Sequence, residues 1–142
     1  MIRIISFSFS DQDLFKQAFA IRQAVFVAEQ GVPAALEYDE HEAEATHYLL
    51  YDDETPVGAA RWRKTAQGIK LERFAVLPEY RNNGIGKILV NKVLENVIQL
   101  GLPVYLHSQL RACSLYQRHG FVISGEVFTE AGIEHYKMVL EK

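Results

Sequence analysis

One cysteine, Cys113, in a chain of 142 residues excludes an intrachain disulfide, a Cys-x-x-Cys redox pair and a multi-cysteine zinc site. Cysteine this scarce fits a reducing compartment, and a cytoplasmic location is expected. A basic excess is missing as well: 15 Lys and Arg stand against 18 Asp and Glu, for a formal net charge of −3. Duplex nucleic acid demands a positive field, so it is not expected as a partner. No stretch of about 18 apolar residues occurs, and the apolar run from Met1 to Phe7 is too short for a signal peptide. Neither a membrane partner nor export by that route is therefore expected. Internal repeats, low-complexity tracts and linkers are absent too.

What is present is an ordinary globular composition, 49% hydrophobic and 23% charged. It is expected to form a single domain over residues 1–142, burying roughly two-thirds of the surface of the unfolded chain. Ile2 and Ile4 alternate with polar neighbours as a first strand. Ser10 and Asp11 then cap a helix whose Leu14, Ala18, Ile21 and Val25 keep the spacing of one buried face, ending near Gly31 and Pro33. Residues 34 to 46 read as a polar loop. Three strands follow, His47 to Tyr51, Val57 to Lys64 and Ile69 to Val76, joined by separators of hairpin length. A long helix from Ile85 to Leu100 is ended by Gly101 and Pro103. Val104 to His107 is expected as a strand in parallel or mixed pairing, and Cys113 to His119 as a short helix. Phe121 to Val127 and His135 to Leu140 finish the chain as two strands. The fold class is α/β in the broad, α+β sense: a mostly antiparallel mixed sheet flanked by helices.

The most legible chemistry lies in Phe74-Ala75-Val76-Leu77-Pro78-Glu79-Tyr80-Arg81-Asn82-Asn83-Gly84-Ile85-Gly86-Lys87. A strand runs into a turn that opens a long helix, where free N–H groups and the positive end of the helix dipole make an anion site. Gly84 and Gly86 let the backbone take positive φ and let a phosphate approach without meeting a Cβ. Arg81 and Lys87 can add charge-assisted contacts. A Walker loop is excluded, because Ile88 stands where Ser or Thr must hold Mg²⁺ and Arg81 where the first glycine belongs. A dinucleotide fingerprint is excluded as well: Leu89 occupies the third glycine position and the preceding strand belongs to a hairpin meander.

Arg81, Gly84 and Gly86 resemble the pyrophosphate motif Arg/Gln-x-x-Gly-x-Gly/Ala of the GNAT superfamily of acyl-CoA-dependent N-acetyltransferases. A second match is Ala112-x-x-x-Tyr116-x-x-x-Gly120-Phe121, at the expected separation. The order of elements is also the family's. Within it the chain is most similar to the small bacterial ElaA-like group, through Arg22-x-x-Val25-Phe26-Val27-x-Glu29-Gln30, Asp39-Glu40-His41-Glu42 and Glu130-Ala131-Gly132-Ile133-x-His135. One departure is His107-Ser108-Gln109, where a small residue is expected before the glutamine.

The resemblance implies an acetyl-CoA-dependent N-acetyltransferase. Acetyl-CoA would be held in an opening between two strands, the pantetheine pairing with the main chain of Phe74, Ala75 and Val76 and the pyrophosphate with Arg81, Asn82, Asn83, Gly84, Ile85, Gly86 and Lys87. It further implies a backbone oxyanion donor at Ala75 or Val76 and a general acid at Tyr116, which protonates the departing sulfur. The acceptor would be a primary amine on a small molecule or peptide, attacking the thioester directly. A lysine-type amine has a pKa of about 10.4, so a base is needed near neutrality. Glu72 is the first candidate base, though strand alternation leaves open whether it faces the cleft or forms an exposed pair with Arg73. His107 and His135 are secondary acid/base candidates.

Other readings stay open at this point. Glu37, Asp39, Glu40, Glu42 and Glu44 form either a solvated loop or an acidic wall that attracts a cationic amine. Arg22, Arg61 and Arg63 in the cleft would suit a carboxylate- or phosphate-bearing acceptor instead. The histidines lie at the wrong spacing for His-Glu-x-x-His, and no metal is expected. Cys113 is read as structural rather than as an acyl carrier. The rival functions are a non-catalytic acyl-CoA-binding regulatory module and an interaction protein, with a homodimer kept in view.

Overall fold

The hydrophobic spacings build eight strands and four α-helices in a computed structural model that describes residues 1–141. Strand β1 (Ile2–Ser8) leads to helix α1 (Gln12–Arg22), whose first turn is capped by the Asp11 carboxylate accepting from the Leu14 N–H at 3.4 Å. From Gln23 to Glu29 the backbone continues as a π-helical segment, which widens the turn and re-aims the residues that follow. A single turn, α2 (Ala34–Glu37), stands inside the stretch expected as plain loop. Strands β2 (Thr46–Asp52), β3 (Thr55–Thr65) and β4 (Gly68–Val76) form the antiparallel meander that the turn chemistry predicts. Helix α3 (Ile85–Ile98), β5 (Val104–Gln109) and the short α4 (Cys113–Gln117) follow.

The chain ends in three strands where two were expected: β6 (Phe121–Ile123), β7 (Phe128–Glu130) and β8 (Ile133–Leu140). Gly125, at φ +91°, breaks the run from Phe121 to Val127. Both β6 and β7 then pair with β8, over different parts of its length. The sheet order is β1-β2-β3-β4-β5-β8-β6, with β7 also on β8.

Each sheet face has its own core, because alternation sends successive strand residues to opposite sides. Leu89, Val93 and Val97 of α3 are fully buried against Leu50, Ile69, Leu71 and Leu106 on one face. Phe15, Ala18, Ile21 and Val25 pack on Leu49, Ala59 and Ala75 on the other. Among the described residues no helix is long and apolar enough to cross a membrane.

Two features of β4 open the sheet. Its parallel pairing with β5 covers only Ile69–Val104, Lys70–Tyr105 and Leu71–Leu106, after which the strands diverge. Against β3 the register shifts between Ala59 and Arg61, and Arg73 takes φ +60°, so one extra residue bulges from β4. The bulge bends the strand away from β5, leaving the β5-facing edge of β4 from Glu72 to Val76 without a strand partner.

Candidate active site

The diverging strands form a fork with its crotch at Leu71 and Leu106. One arm is Glu72 to Val76 of β4, the other His107 to Gln109 of β5. Register assigns the faces. Lys70 lies beside Tyr105 and Arg61 beside Glu72, so Arg61, Lys70, Glu72, Tyr105 and His107 share the α1 face. Phe74 turns the other way and meets Tyr116 of α4 edge-on, ring centroids 6.0 Å apart. Tyr116 also meets Phe121 at 6.0 Å, and it is buried. Nothing among the described residues hydrogen-bonds its hydroxyl, and that atom is not fully enclosed. Burial pushes its phenol pKa up, so it stays protonated at neutral and mildly alkaline pH.

At the open end of the β4 arm, the loop enters α3 without any side-chain cap. Asn82 at φ +67° and Gly84 at φ +77° turn the backbone, and the Ile88 N–H already bonds the Gly84 carbonyl at 3.1 Å. The N–H groups of Ile85, Gly86 and Lys87 precede the first i to i−4 bond and stay available for an anion. Arg81 is not free to serve that anion alone. Its guanidinium grips both Glu29 oxygens at 2.6 Å, and its Nε–H donates to the Val76 carbonyl at 3.0 Å. Gln109 at the tip of the β5 arm donates to Gln30 at 2.8 Å. Adjacent residues of the π segment and its cap therefore tie down both arms. Beside them lies a cleft of about 490 Å³ lined by Glu29, Gln30, Gln109, Leu110, Arg111, Ile133 and Glu134. The Glu29-Gln30 motif was visible in the sequence, but its role was not, since Arg81 is 52 residues away.

The acidic run and the arginines, read as competing linings of one pocket, neutralise each other instead. Arg22 pairs with Glu37 and Glu42, both contacts at 2.7 Å, and all three side chains are at most 2% exposed. Arg61, 1% exposed, reaches Asp39 at 2.7 Å, Glu42 at 2.9 Å and Glu72 at 3.0 Å. Arg73, on the bulge, donates to the Leu36 carbonyl at 3.2 Å and to Asp39 at 3.1 Å. Among the described residues its Nε is the one fully buried side-chain N or O atom without a hydrogen-bond partner. So neither a solvated loop nor an acidic wall is formed by Glu37 and Glu42, which are strapped over β3 and β4. His47 joins them, its Nε2 meeting the Glu42 carbonyl at 2.9 Å.

Glu72 does face the α1 side, but in company: Arg61 at 3.0 Å, Arg63 at 2.9 Å and Lys70 at 3.2 Å. Burial raises its carboxyl pKa, yet Arg61, Lys70 and Arg63 outweigh that and hold it at about 2. A base that weak is poorly matched to an ammonium proton near neutrality. Across the crotch, His107 Nδ1 lies 3.0 Å from the Glu130 carboxylate. His135 bonds the Ile133 carbonyl at 2.7 Å and stacks on Phe128. Among the described residues no group of three or more His, Cys, Asp or Glu could hold a metal ion.

The comparisons with known proteins agree with this geometry. Residues 8–142 match the acetyltransferase (GNAT) domain family. The uncharacterized N-acetyltransferase YjcF of Bacillus subtilis is 40% identical over 131 residues, 91% of this chain and 94% of that protein. Protein ElaA of Escherichia coli is 32% identical over 127 residues, 85% of this chain and 83% of its own. The ElaA crystal structure superposes with a TM-score of 0.89 at 27% identity, covering 99% of this chain and all of that one. A Bacillus subtilis acetyltransferase in complex with CoA shares the fold, with a TM-score of 0.73, 20% identity and coverage of 100% of this chain and 99% of that one. With the split sheet, the uncapped α3 and both sequence motifs in place, the chain belongs to the GNAT acetyltransferase family and is an acyltransferase.

Proposed function

We propose that the chain transfers the acetyl group of acetyl-CoA to a primary amine of a small molecule or peptide by direct attack. The observation that carries this reading is the fork itself: an unpaired strand edge ending at an uncapped helix N-terminus, with a buried phenol over it. The Glu72 to Val76 edge offers main-chain groups to the pantetheine as an added strand would. The N–H groups of Ile85, Gly86 and Lys87 meet the pyrophosphate, with Asn82, Asn83 and Gly84 shaping the turn. Arg81 holds the turn through Glu29 and Val76 and lends positive charge from behind. A main-chain N–H at Ala75 or Val76 stabilises the oxyanion, an effect worth about 10²-fold or more per donor. Tyr116 protonates the thiolate. Glu72 we assign to holding Arg63 and Lys70 on the acceptor face rather than to proton transfer. The CoA bound by the structurally similar Bacillus subtilis protein supports the ligand class.

Calorimetric titration with CoA tests the site. Saturable binding is expected, and a ligand at 100 times its Kd should stabilise the fold by about 2.7 kcal/mol. A Cβ added at Gly86 would meet Leu115 Cδ2 at 3.7 Å, an ordinary contact. Gly86→Ala is therefore expected to fold as wild type while weakening CoA by about tenfold or more, through crowding of the phosphates. No heat at millimolar CoA overturns the reading.

Direct attack predicts no covalent intermediate. Cys113 is buried and its thiol points at the Gln109 carbonyl, 3.7 Å away. Nothing there resembles an activating base. Cys113→Ser should retain turnover within about threefold, initial-rate lines should intersect, and mass spectrometry should find no acetylated enzyme after acetyl-CoA alone. Parallel lines with an acetylated Cys113 would establish a ping-pong route instead.

A further inference from the structure

Two titratable side chains flank the crotch of the fork on the α1 face, one on each arm: Glu72 and His107. Glu72 is enclosed by Arg61, Arg63 and Lys70. His107 is differently placed. It is the first β5 residue beyond the last β4–β5 pair, its side chain is 24% exposed, and it lies 3.0 Å from a carboxylate that is itself 44% exposed. Phe128 packs edge-on against the imidazole with ring centroids 5.0 Å apart, and Tyr105 lies at 6.1 Å. We infer that His107 is the catalytic base for the acceptor amine, with Glu130 as its positioning residue. The inference rests on the acetyl-transfer reading above.

The geometry gives each atom a task. The Glu130 carboxyl is held below the usual carboxylate range, first by its bond to His107, so it is ionised at working pH and accepts from Nδ1–H. That fixes the tautomer and leaves the Nε2 lone pair for the substrate. Tyr116 and His107 belong to opposite faces of the same fork, Tyr116 on the α3 side and His107 on the α1 side. A thioester lying in the fork thus has its sulfur toward one and the incoming nitrogen toward the other. The acceptor enters as the neutral amine, its ammonium proton having gone to solvent, and as the C–N bond forms the nitrogen sheds its second proton to Nε2. As the C–S bond breaks, the thiolate takes a proton from Tyr116. The imidazolium, stabilised by Glu130, returns its proton to solvent, and the tyrosinate recovers one after the products leave.

Charged groups from several strands face His107. Lys70 of β4 and His135 of β8 both act on Glu130. Lys137 is the β8 register partner of His107, with its ammonium over the Tyr105 ring at 5.1 Å, and Glu72 lies on the same face of β4. Lys70, Lys137 and a protonated His135 oppose a positive imidazole, while Glu130 and Glu72 favour it.

The test follows CoA thiol release with benzylamine, spermidine, glucosamine and a lysine-containing tripeptide as probe acceptors, across pH. Wild type should lose kcat/KM on the acid side as one group takes up a proton. His107→Gln is expected to lower kcat/KM for the amine about 10²-fold and to flatten that limb, with the CoA Kd within twofold of wild type. Glu130→Gln should keep the limb but move it to lower pH and reduce kcat about tenfold, because the imidazolium loses its counter-charge. A structural role alone would move neither limb. Wild-type kcat/KM with an unmoved limb in His107→Gln overturns the inference. No thiol release by wild type with any probe overturns the acetyl-transfer reading itself, a distinct result.

Discussion

Arg61→Met is expected to destabilise the fold by about 3–5 kcal/mol, because it leaves Asp39, Glu42 and Glu72 sharing too little buried positive charge. For a chain of this size that is a fall of about 10 °C or more in melting temperature. The residue is buried on β3, with carboxylates reaching it from the 37–44 segment and from β4. Isolated exposed ion pairs contribute little, but removing one partner of a buried network strands charge where water cannot reach it. Arg61→Lys should recover only a minor part, since one ammonium cannot span three carboxylates as a planar fork does.

The same network sets the acid stability. Burial raises the carboxyl pKa of Asp39, Glu42 and Glu72, but the surrounding arginines outweigh it and hold all three below their ordinary values, Glu72 at about 2. A carboxylate with a folded pKa below its unfolded value stabilises the fold at pH values above the unfolded pKa. That contribution is lost as pH falls through the folded pKa. The melting temperature should therefore be flat from neutrality to about pH 5 and fall between about pH 4 and pH 2. Arg61→Met should be both less stable at neutrality and less steep in that window. A variant that melts within 2 °C of wild type, on the order of 0.5–1 kcal/mol, would show that Arg61 is dispensable.

Tyr116→Phe is the second large effect: kcat should drop about 10²-fold or more while the CoA Kd changes by less than about twofold. The ring stays between Phe74 and Phe121, so its packing is preserved. The hydroxyl makes no bond among the described residues, and the melting temperature should not fall. Since burial raises the phenol pKa, Tyr116 holds its proton across the working range. An alkaline limb in the wild-type profile should therefore survive in the variant. For the proposed general acid, placement must count for more than acidity, because a raised pKa makes a phenol the weaker donor. Undiminished kcat in Tyr116→Phe would assign the proton to solvent.

Much of this protein is written locally. Ala18, Ile21 and Val25 mark one helical face and bury it, with Leu14 half-buried beside them, and Leu89, Val93 and Val97 do the same in α3. The separators between β2, β3 and β4 fold as hairpins because turn chemistry acts within a few residues. The Arg81 to Gly86 turn and the Tyr116 segment are legible for the same reason, as is the parallel step from β4 to β5 across α3. The C-terminal strands differ where that locality fails: the strand from Phe121 stops at Ile123, before Gly125 at φ +91°, and Phe128–Glu130 becomes a strand because it finds β8.

Sequence alone therefore determined the family, the main helices, the central meander and the glycine turn that opens α3, since spacing and turn preferences need only neighbours along the chain. Tertiary structure decided which charges meet. Nothing in the run from Glu37 to Glu44 says that Arg22 and Arg61 will neutralise it, that Glu29 will grip Arg81, or that His107 will find Glu130. It also decided that Glu72, on the α1 face of the fork, meets Arg61, Arg63 and Lys70 together. The physical reason is that a charge's partner and its pKa depend on distance and desolvation in three dimensions, which the fork, the bulge at Arg73 and the π segment create only once the sheet has closed.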